Sequence, residues 1–386
     1  MQNTLNNLEP SDMQMEDDPQ LLRLMLEDLE SAPQIYQPTN QWTHNAKESI
    51  PELFSLGLHD IKRRKDSCLQ WFGGMDLPPT LPLADMSKSR FVNNRFTKKV
   101  PFHGRFIEFI AKCSRSRLAK ACFPIRGMNI EYVKQWAYAT AFTKGVKAGA
   151  KSIDHLEVSL VGNPEDVFRV GDQLYTMWTF FYYMYYAYCC NYLDFDSIQT
   201  IVELGPGLGR QVEVIKKLHP DICFLLFDIP PQLYVCEQYL SAVFPDSVVS
   251  YRDTRDMDRL PDTRKGKIFL FGNWKFPVLG EEEIDLFWNA LSFQEMEPDV
   301  VANYLSYVNH QTENVFLHQH MEGYPALAKR AGDYGVFNRT TLQDYQSDLA
   351  NFQLVNMGPD YDALGRPRGT TSVSFWKRDP PFGAQG

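Results

Sequence analysis

One ten-residue stretch, IVELGPGLGR from Ile201 to Arg210, restricts this chain more than any other. An apolar run passes into three glycines, at 205, 207 and 209, and then directly into a helix-type pattern. Glycine lets the backbone turn sharply and approach another group without a Cβ in the way. The sequence around it keeps alternating in the same manner. Apolar runs at Thr200–Leu204, Cys223–Asp228, Lys267–Phe271, Asp285–Ala290 and Asn314–His318 are separated by helical patterns at Arg210–Leu218, Pro231–Phe244 and Pro298–Asn309. Strands and helices of these lengths in alternation predict an α/β fold with a parallel, doubly wound sheet.

The glycine turn also narrows the ligand. A dinucleotide fingerprint needs a third glycine at position 210, which here is Arg; the spacing is G-x-G-x-G, preceded on the strand by Glu203. That spacing favours S-adenosylmethionine, which brings no pyrophosphate to the helix N-terminus. Nineteen residues beyond Gly209, Asp228 ends the next strand, FLLFD, placed to accept hydrogen bonds from both ribose hydroxyls.

The blocks GPGLG, FDIPPQLYVCEQYL, IFLFGNWKFPVL and IDLFWNALSFQEMEPDVVANYL, with VGNPEDVF upstream, resemble the successive blocks of a bacterial sugar O-methyltransferase family. The resemblance spans about residues 155–325. It implies a Rossmann-like class I methyltransferase sheet of order 3-2-1-4-5-7-6, behind a helical N-terminal region. It assigns Glu203, Gly205, Gly207 and Gly209 to the methionine end of the cofactor, and Asp228 to the ribose with Ile229 beside it. Gly272, Asn273 and Trp274 would lie near the adenine, and Asn289 to Glu295, including Ser292, between sulfonium and acceptor.

Transfer of a methyl group to a hydroxyl needs a base for the departing proton. Glu295 is the first candidate; the alternatives for it are a helix cap or a ligand of the methionine amino group. His318 and His320 form the second candidate. At i and i+2 on a strand they share a face, which Glu322 continues if the strand persists, so a metal triad is an alternative to a base, with hydrogen-bonded wall histidines as the plain reading. No metal is assigned. Arg366 and Arg368 in GRPRG read as a solvated hairpin loop, with contact to an anionic acceptor as the alternative.

Composition sets the remaining limits. With 386 residues, 44% of them hydrophobic and 23% charged, a wholly disordered chain and a disulfide-stapled miniprotein are excluded. Seven cysteines form no CxxC pair, and Cys189 and Cys190 are adjacent, which suggests reduced thiols in a cytoplasmic protein; no secretory leader is visible. The uncharged stretch Leu174–Leu193 is long enough to span a bilayer, but its tyrosines are scattered through the middle, so it reads as a buried aromatic helix. Its rings are read mainly as core, with a sugar-binding face as the alternative.

The net charge of −9 is unevenly placed. Residues 1–30 sum to −7, and residues 88–126, rich in Phe, Lys and Arg, sum to +10. The expected division is an acidic, disordered tail over 1–45 with one short helix at Pro19–Leu29, a helical acceptor-side region over 46–195 and a cofactor domain over 196–386. The basic segment suits an anionic or carrier-linked glycan or a peripheral membrane contact; without a nucleic-acid motif, nucleic acid is not expected. The expected function is thus a methyltransferase acting on a sugar or glycan hydroxyl. The rivals are N- or C-methylation, a nicotinamide-dependent oxidoreductase and a non-catalytic Rossmann-like module.

Overall fold

The computed structural model describes residues 14–64, 67–69 and 123–382. The basic segment of 88–126 therefore lies almost wholly outside the described residues. In chain order the helices are α1 (Pro19–Glu30), α2 (Asn40–Leu56), α3 (Phe123–Ala148), α4 (Met177–Cys189), α5 (Arg210–Leu218), α6 (Pro230–Val243), α7 (Tyr251–Thr254), α8 (Pro298–Gln311) and α9 (Leu342–Asp348). The strands are β1 (Phe168–Val170), β2 (Gln173–Tyr175), β3 (Thr200–Leu204), β4 (Cys223–Asp228), β5 (Val248–Val249), β6 (Ile268–Gly272), β7 (Ile284–Ala290), β8 (Thr312–Gln319), β9 (Phe352–Tyr361) and β10 (Pro367–Arg378).

Eight strands form one sheet in the order β5-β6-β4-β3-β7-β8-β10-β9. Leaving aside the two-residue β5 at the edge, the seven longer strands numbered in chain order run 3-2-1-4-5-7-6. β10 is antiparallel to both β8 and β9, and β3, β4, β6, β7 and β8 are mutually parallel. Parallel strands buried on both faces read as unbroken apolar runs. Ile201, Phe224, Leu226 and Leu286 point to the core under α4, α5 and α6, while Val202, Leu225, Phe227 and Phe287 point to the core under α8.

The aromatic stretch is shorter as a helix than the sequence suggests. Leu174 and Tyr175 belong to the β1–β2 hairpin, and α4 begins only after Thr176, whose side chain forms a capping box with Thr179. No helix among the described residues is long and apolar enough to cross a membrane. The five cysteines with described side chains are free thiols.

Residues 14–45 are not a solvated tail. Asp18 caps α1 by accepting from Leu21 N at 2.9 Å, and Pro19 occupies the first helical position. The helix then buries Leu21, Leu22 and Met25 to 1% exposure or less, packed with α6 in the same core. Its acids face partners: Asp28 accepts from Arg255 Nε and Nη2 at 2.8 and 2.7 Å, Asp18 from Arg252 Nη1 at 2.8 Å, and Asp17 from Tyr234 Oη at 2.6 Å. The Arg255 guanidinium, opposed by burial, holds the Asp28 carboxyl below its ordinary value. A run of acids looks disordered in sequence because its cations lie more than two hundred residues away. Met25→Ala is expected to destabilise the whole fold by about 2–5 kcal/mol, measured by urea unfolding. A loss under about 0.5 kcal/mol, the range of surface substitutions, would make α1 peripheral.

Candidate active site

The carboxyl ends of β3, β4, β6, β7 and β8 open on one cavity of about 310 Å³, the position in which an open α/β sheet binds its ligand. The glycine turn forms its floor. Gly205 has φ +77°, and a Cβ there would lie 2.5 Å from the Ser292 Oγ. Its N–H donates to Phe227 O at 2.8 Å, while Gly207, at φ +56°, donates to Asp228 Oδ2 at 3.3 Å. Gly209 does not line the cavity. At φ +84° it caps α5, and a Cβ would come within 2.9 Å of Leu240, so its smallness serves helix packing.

Three carboxyl groups face this space: Glu203 from β3, Asp228 from β4 and Glu295 from the turn after β7. Burial, reinforced by the Asp228 charge, pushes Glu203 up to about 8. Burial pushes Asp228 up to about 7 against the backbone donors Ile229 and Gly207. Burial, opposed by a hydrogen bond from Trp42, and the Asp228 charge push Glu295 up to about 8. Among the described residues, no lysine or arginine is one of the groups acting on any of the three.

The remaining residues expected at the cofactor divide. Ile229, Asn273 and Ser292 line the cavity; Gly272, Trp274 and Asn289 do not. The Trp274 ring folds back over Gly272, where a Cβ would meet it at 2.4 Å. Asn289 is fully buried beneath the cavity: its Nδ2 donates to Leu204 O at 2.9 Å and to Ser292 Oγ at 2.7 Å, bracing the loop after β7 against the end of β3. Gln319 Nε2 donates to Asn289 Oδ1 and completes the brace. Asn273 Oδ1 and both amide atoms of Gln211 and Gln232, all in the cavity wall, have no hydrogen-bond partner among the described residues.

A further wall comes from the N-terminal segment. Thr39 Oγ1 donates to Glu295 O at 2.8 Å, Asn273 Nδ2 donates to Tyr36 O at 2.7 Å, and Gln37, Pro38 and Trp42 line the cavity. No motif in residues 36–42 signals this. The contact is closed by more than two hundred residues of intervening chain.

The two candidate histidines separate. His318 is fully buried in the cavity wall, with Nε2 3.1 Å from Asp360 Oδ2. Tyr185 Oη donates to Asp360 Oδ1 at 3.0 Å, and Thr371 Oγ1 donates to Oδ2 at 3.1 Å. Burial raises the Asp360 carboxyl, but the hydrogen bond and charge from His318, with Arg368 and Tyr185, outweigh it and hold it below its ordinary value. An ionised carboxylate only accepts, so Nε2 carries the proton. His318 Nδ1 is left without a partner among the described residues. His320 lies outside the lining: β8 ends at Gln319, the chain turns on Gly323 at φ +86°, and His320 Nδ1 sits 3.2 Å from Thr370 O. Glu322 is exposed within that turn, so the shared face expected of the three does not form. No group of three or more His, Cys, Asp or Glu side chains able to hold a metal occurs among the described residues.

The strand order, the glycine turn and the acidic end of β4 now stand together. The fold is a Rossmann-like α/β sheet in the strand order that the resemblance implies. No family model matches the chain, and no curated protein matches it. Solved structures do. The mitomycin 7-O-methyltransferase MmcR is 12% identical with a TM-score of 0.33, over 63% of this chain and 68% of its own. The pyocyanin biosynthetic protein PhzM is 12% identical with a TM-score of 0.34, over 52% of this chain and 57% of its own, so the chain spans little more than half of PhzM. The magnesium protoporphyrin IX methyltransferase ChlM of Synechocystis PCC 6803, with bound SAM, is 11% identical with a TM-score of 0.31, over 47% of this chain and 70% of its own.

Opposite the glycine turn the wall is aromatic. Trp178, Phe181, Tyr182 and Tyr185, at i, i+3, i+4 and i+7 of α4, face the cavity. The opposite side of α4 is core: Tyr183 Oη donates to Lys151 O at 2.8 Å, and Tyr186 Oη lies 2.9 Å from His219 Nε2. The hairpin arginines divide as well. Arg366 pairs with Asp362 at 2.7 Å near the surface, whereas Arg368 reaches the cavity, against the reading of both as solvated loop residues.

Proposed function

We propose that the chain is an S-adenosylmethionine-dependent O-methyltransferase acting on a hydroxyl of a sugar or glycan. The observation that carries this reading is the trio Glu203, Asp228 and Glu295, three buried carboxyl groups around one cavity with no cation among the described residues acting on them. Such a site is suited to a cation and repels the pyrophosphate of a dinucleotide. When bound, S-adenosylmethionine supplies an activated methyl group on a sulfonium.

The chain's own residues divide the remaining work. Asp228 is the acceptor for ribose hydroxyls, the Gly205–Gly207 turn admits the ligand without steric interference, and Glu203 answers its positive charge. The unpartnered amide atoms of Asn273 and Gln232 offer further hydrogen bonds. The α4 aromatic face provides flat apolar surface for a sugar ring. His318 Nδ1 takes the proton of the acceptor hydroxyl, and Asp360 stabilises the imidazolium as the charge forms. The sugar acceptor is supported by the resemblance of the blocks between residues 155 and 325, and the base by the free Nδ1 in the cavity wall.

Calorimetry with S-adenosylmethionine, S-adenosylhomocysteine and NAD tests this. In the free protein Glu203 and Glu295, raised to about 8, are mainly protonated at pH 6, and a cation stabilises their charged form. Binding therefore releases protons, and affinity for S-adenosylmethionine climbs from pH 6 to 8 by up to about tenfold per pH unit for each group coupled. S-adenosylhomocysteine, without the sulfonium charge, climbs less steeply. The same carboxyls give the free protein stability that is fully present below their unfolded values and is lost as pH rises through 7 to 8. Binding of NAD with no binding of either S-adenosyl compound sinks the proposal.

A further inference from the structure

We propose that the acceptor carries an anionic group, a carboxylate or a phosphate, and that Arg368 binds it; the inference rests on the methyltransferase reading above. The cavity has two electrostatic ends. Glu203, Asp228 and Glu295 occupy one, and Arg368 is the one cationic side chain among the described residues that line the cavity. An anion is therefore driven away from the cofactor end and toward the guanidinium.

The arginine is already held in place. Its guanidinium carbon lies 4.2 Å from the centre of the Phe181 ring, which holds the group against α4. Its Nε lies 3.8 Å from Asp360 Oδ2, near enough to orient the group but beyond hydrogen-bond distance. No acceptor among the described residues makes a hydrogen bond to it, and 38% of the side chain stays accessible. The hydrogen bonds of Asp360 do not depend on this arginine, because Tyr185, Thr371 and His318 already serve its two oxygens. The planar fork is thus pre-ordered on one face and one edge, with its terminal nitrogens left to the cavity.

Placement also limits the acceptor's size. His318 Nε2 and Arg368 Nε both approach the same oxygen of Asp360. The hydroxyl that gives up its proton and the anionic group consequently belong to one sugar unit, as in a uronic acid or a sugar phosphate, rather than to distant residues of a long glycan.

The experiment uses the full chain saturated with S-adenosylhomocysteine, titrated with methyl glucuronide, glucose 6-phosphate and methyl glucoside. At least one anionic probe is expected to bind about tenfold or more tighter than the neutral glucoside, weakening with added salt. In Arg368→Gln that preference should shrink below about threefold, and Arg368→Lys should retain part of it, keeping the charge but losing the fork. The tighter of the two anions identifies the group recognised. Equal binding of all three probes to the wild type, or a preference that survives in Arg368→Gln with an unchanged melting temperature, overturns the proposal alone. Failure of S-adenosylhomocysteine to bind, read before any sugar is added, removes the methyltransferase reading and this inference with it.

Discussion

His318→Asn lowers kcat by about 10²–10⁴, the range for loss of a general base, while the affinity for S-adenosylhomocysteine stays within about threefold. The expectation follows from the division of labour around one buried ring. Asp360 holds the proton on Nε2 and leaves Nδ1 as a lone-pair acceptor in the cavity wall, whereas the residues proposed to hold the cofactor lie on β3, β4 and the loops after them. Asparagine cannot accept a proton at neutral pH, yet it keeps a polar donor toward Asp360. Asp360→Asn should follow in the same direction, because an amide no longer stabilises the imidazolium. Chemical rescue separates a base from a structural ring: added imidazole should restore part of the activity of His318→Ala. If His318→Asn keeps more than about a third of the wild-type kcat, a loss smaller than general-base catalysis provides, the base is elsewhere and Glu295 becomes the candidate.

Asp228→Asn weakens S-adenosylhomocysteine binding by about 10- to 150-fold, the loss of one charge-assisted hydrogen bond at about 1.5–3 kcal/mol. The same change acts on the free protein in the opposite sense. The Asp228 charge helps to raise both Glu203 and Glu295, and its own carboxyl is raised to about 7 by burial. A folded carboxyl raised above its unfolded value is a source of stability at low pH that fades as pH climbs through the raised value. Without that titration, the fall in Tm between pH 6 and 8 should be shallower in Asp228→Asn than in the wild type. Binding strength and free-state stability are thus opposed at one residue, as expected where a site is built for a ligand rather than for the fold. Unchanged affinity in calorimetry would remove Asp228 from the cofactor site.

The resemblance pointed to the loop after β7 and named Asn289 as a cofactor residue, but Asn289 proves to be the brace under that loop. The resemblance assigns Gly209 to the methionine end of the cofactor, but in the structure the missing Cβ serves close helix packing. Arg366 and Arg368 are two residues apart in one loop, yet only the second reaches the cavity, because Phe181 of α4 receives its guanidinium. The acidic N-terminal stretch is the clearest reversal. Its charges find Arg252, Arg255 and two tyrosines on and beside α6 and α7, and the segment that follows it closes the cavity wall.

What the sequence determined by itself is whatever depends on neighbouring residues along the chain. The strand–glycine–helix turn, the acidic end of β4, the alternation of β and α elements and the helical character of the aromatic stretch are set by backbone conformation and periodicity within about ten residues. The tertiary structure alone decided which side chains share one space. His318 acquires its carboxylate from β9, its hydroxyl neighbour from α4 and its place opposite three buried acids only when strands far apart in sequence become adjacent in the sheet. Burial then raises the three acids, and burial is a property of the assembled core rather than of any local run of residues.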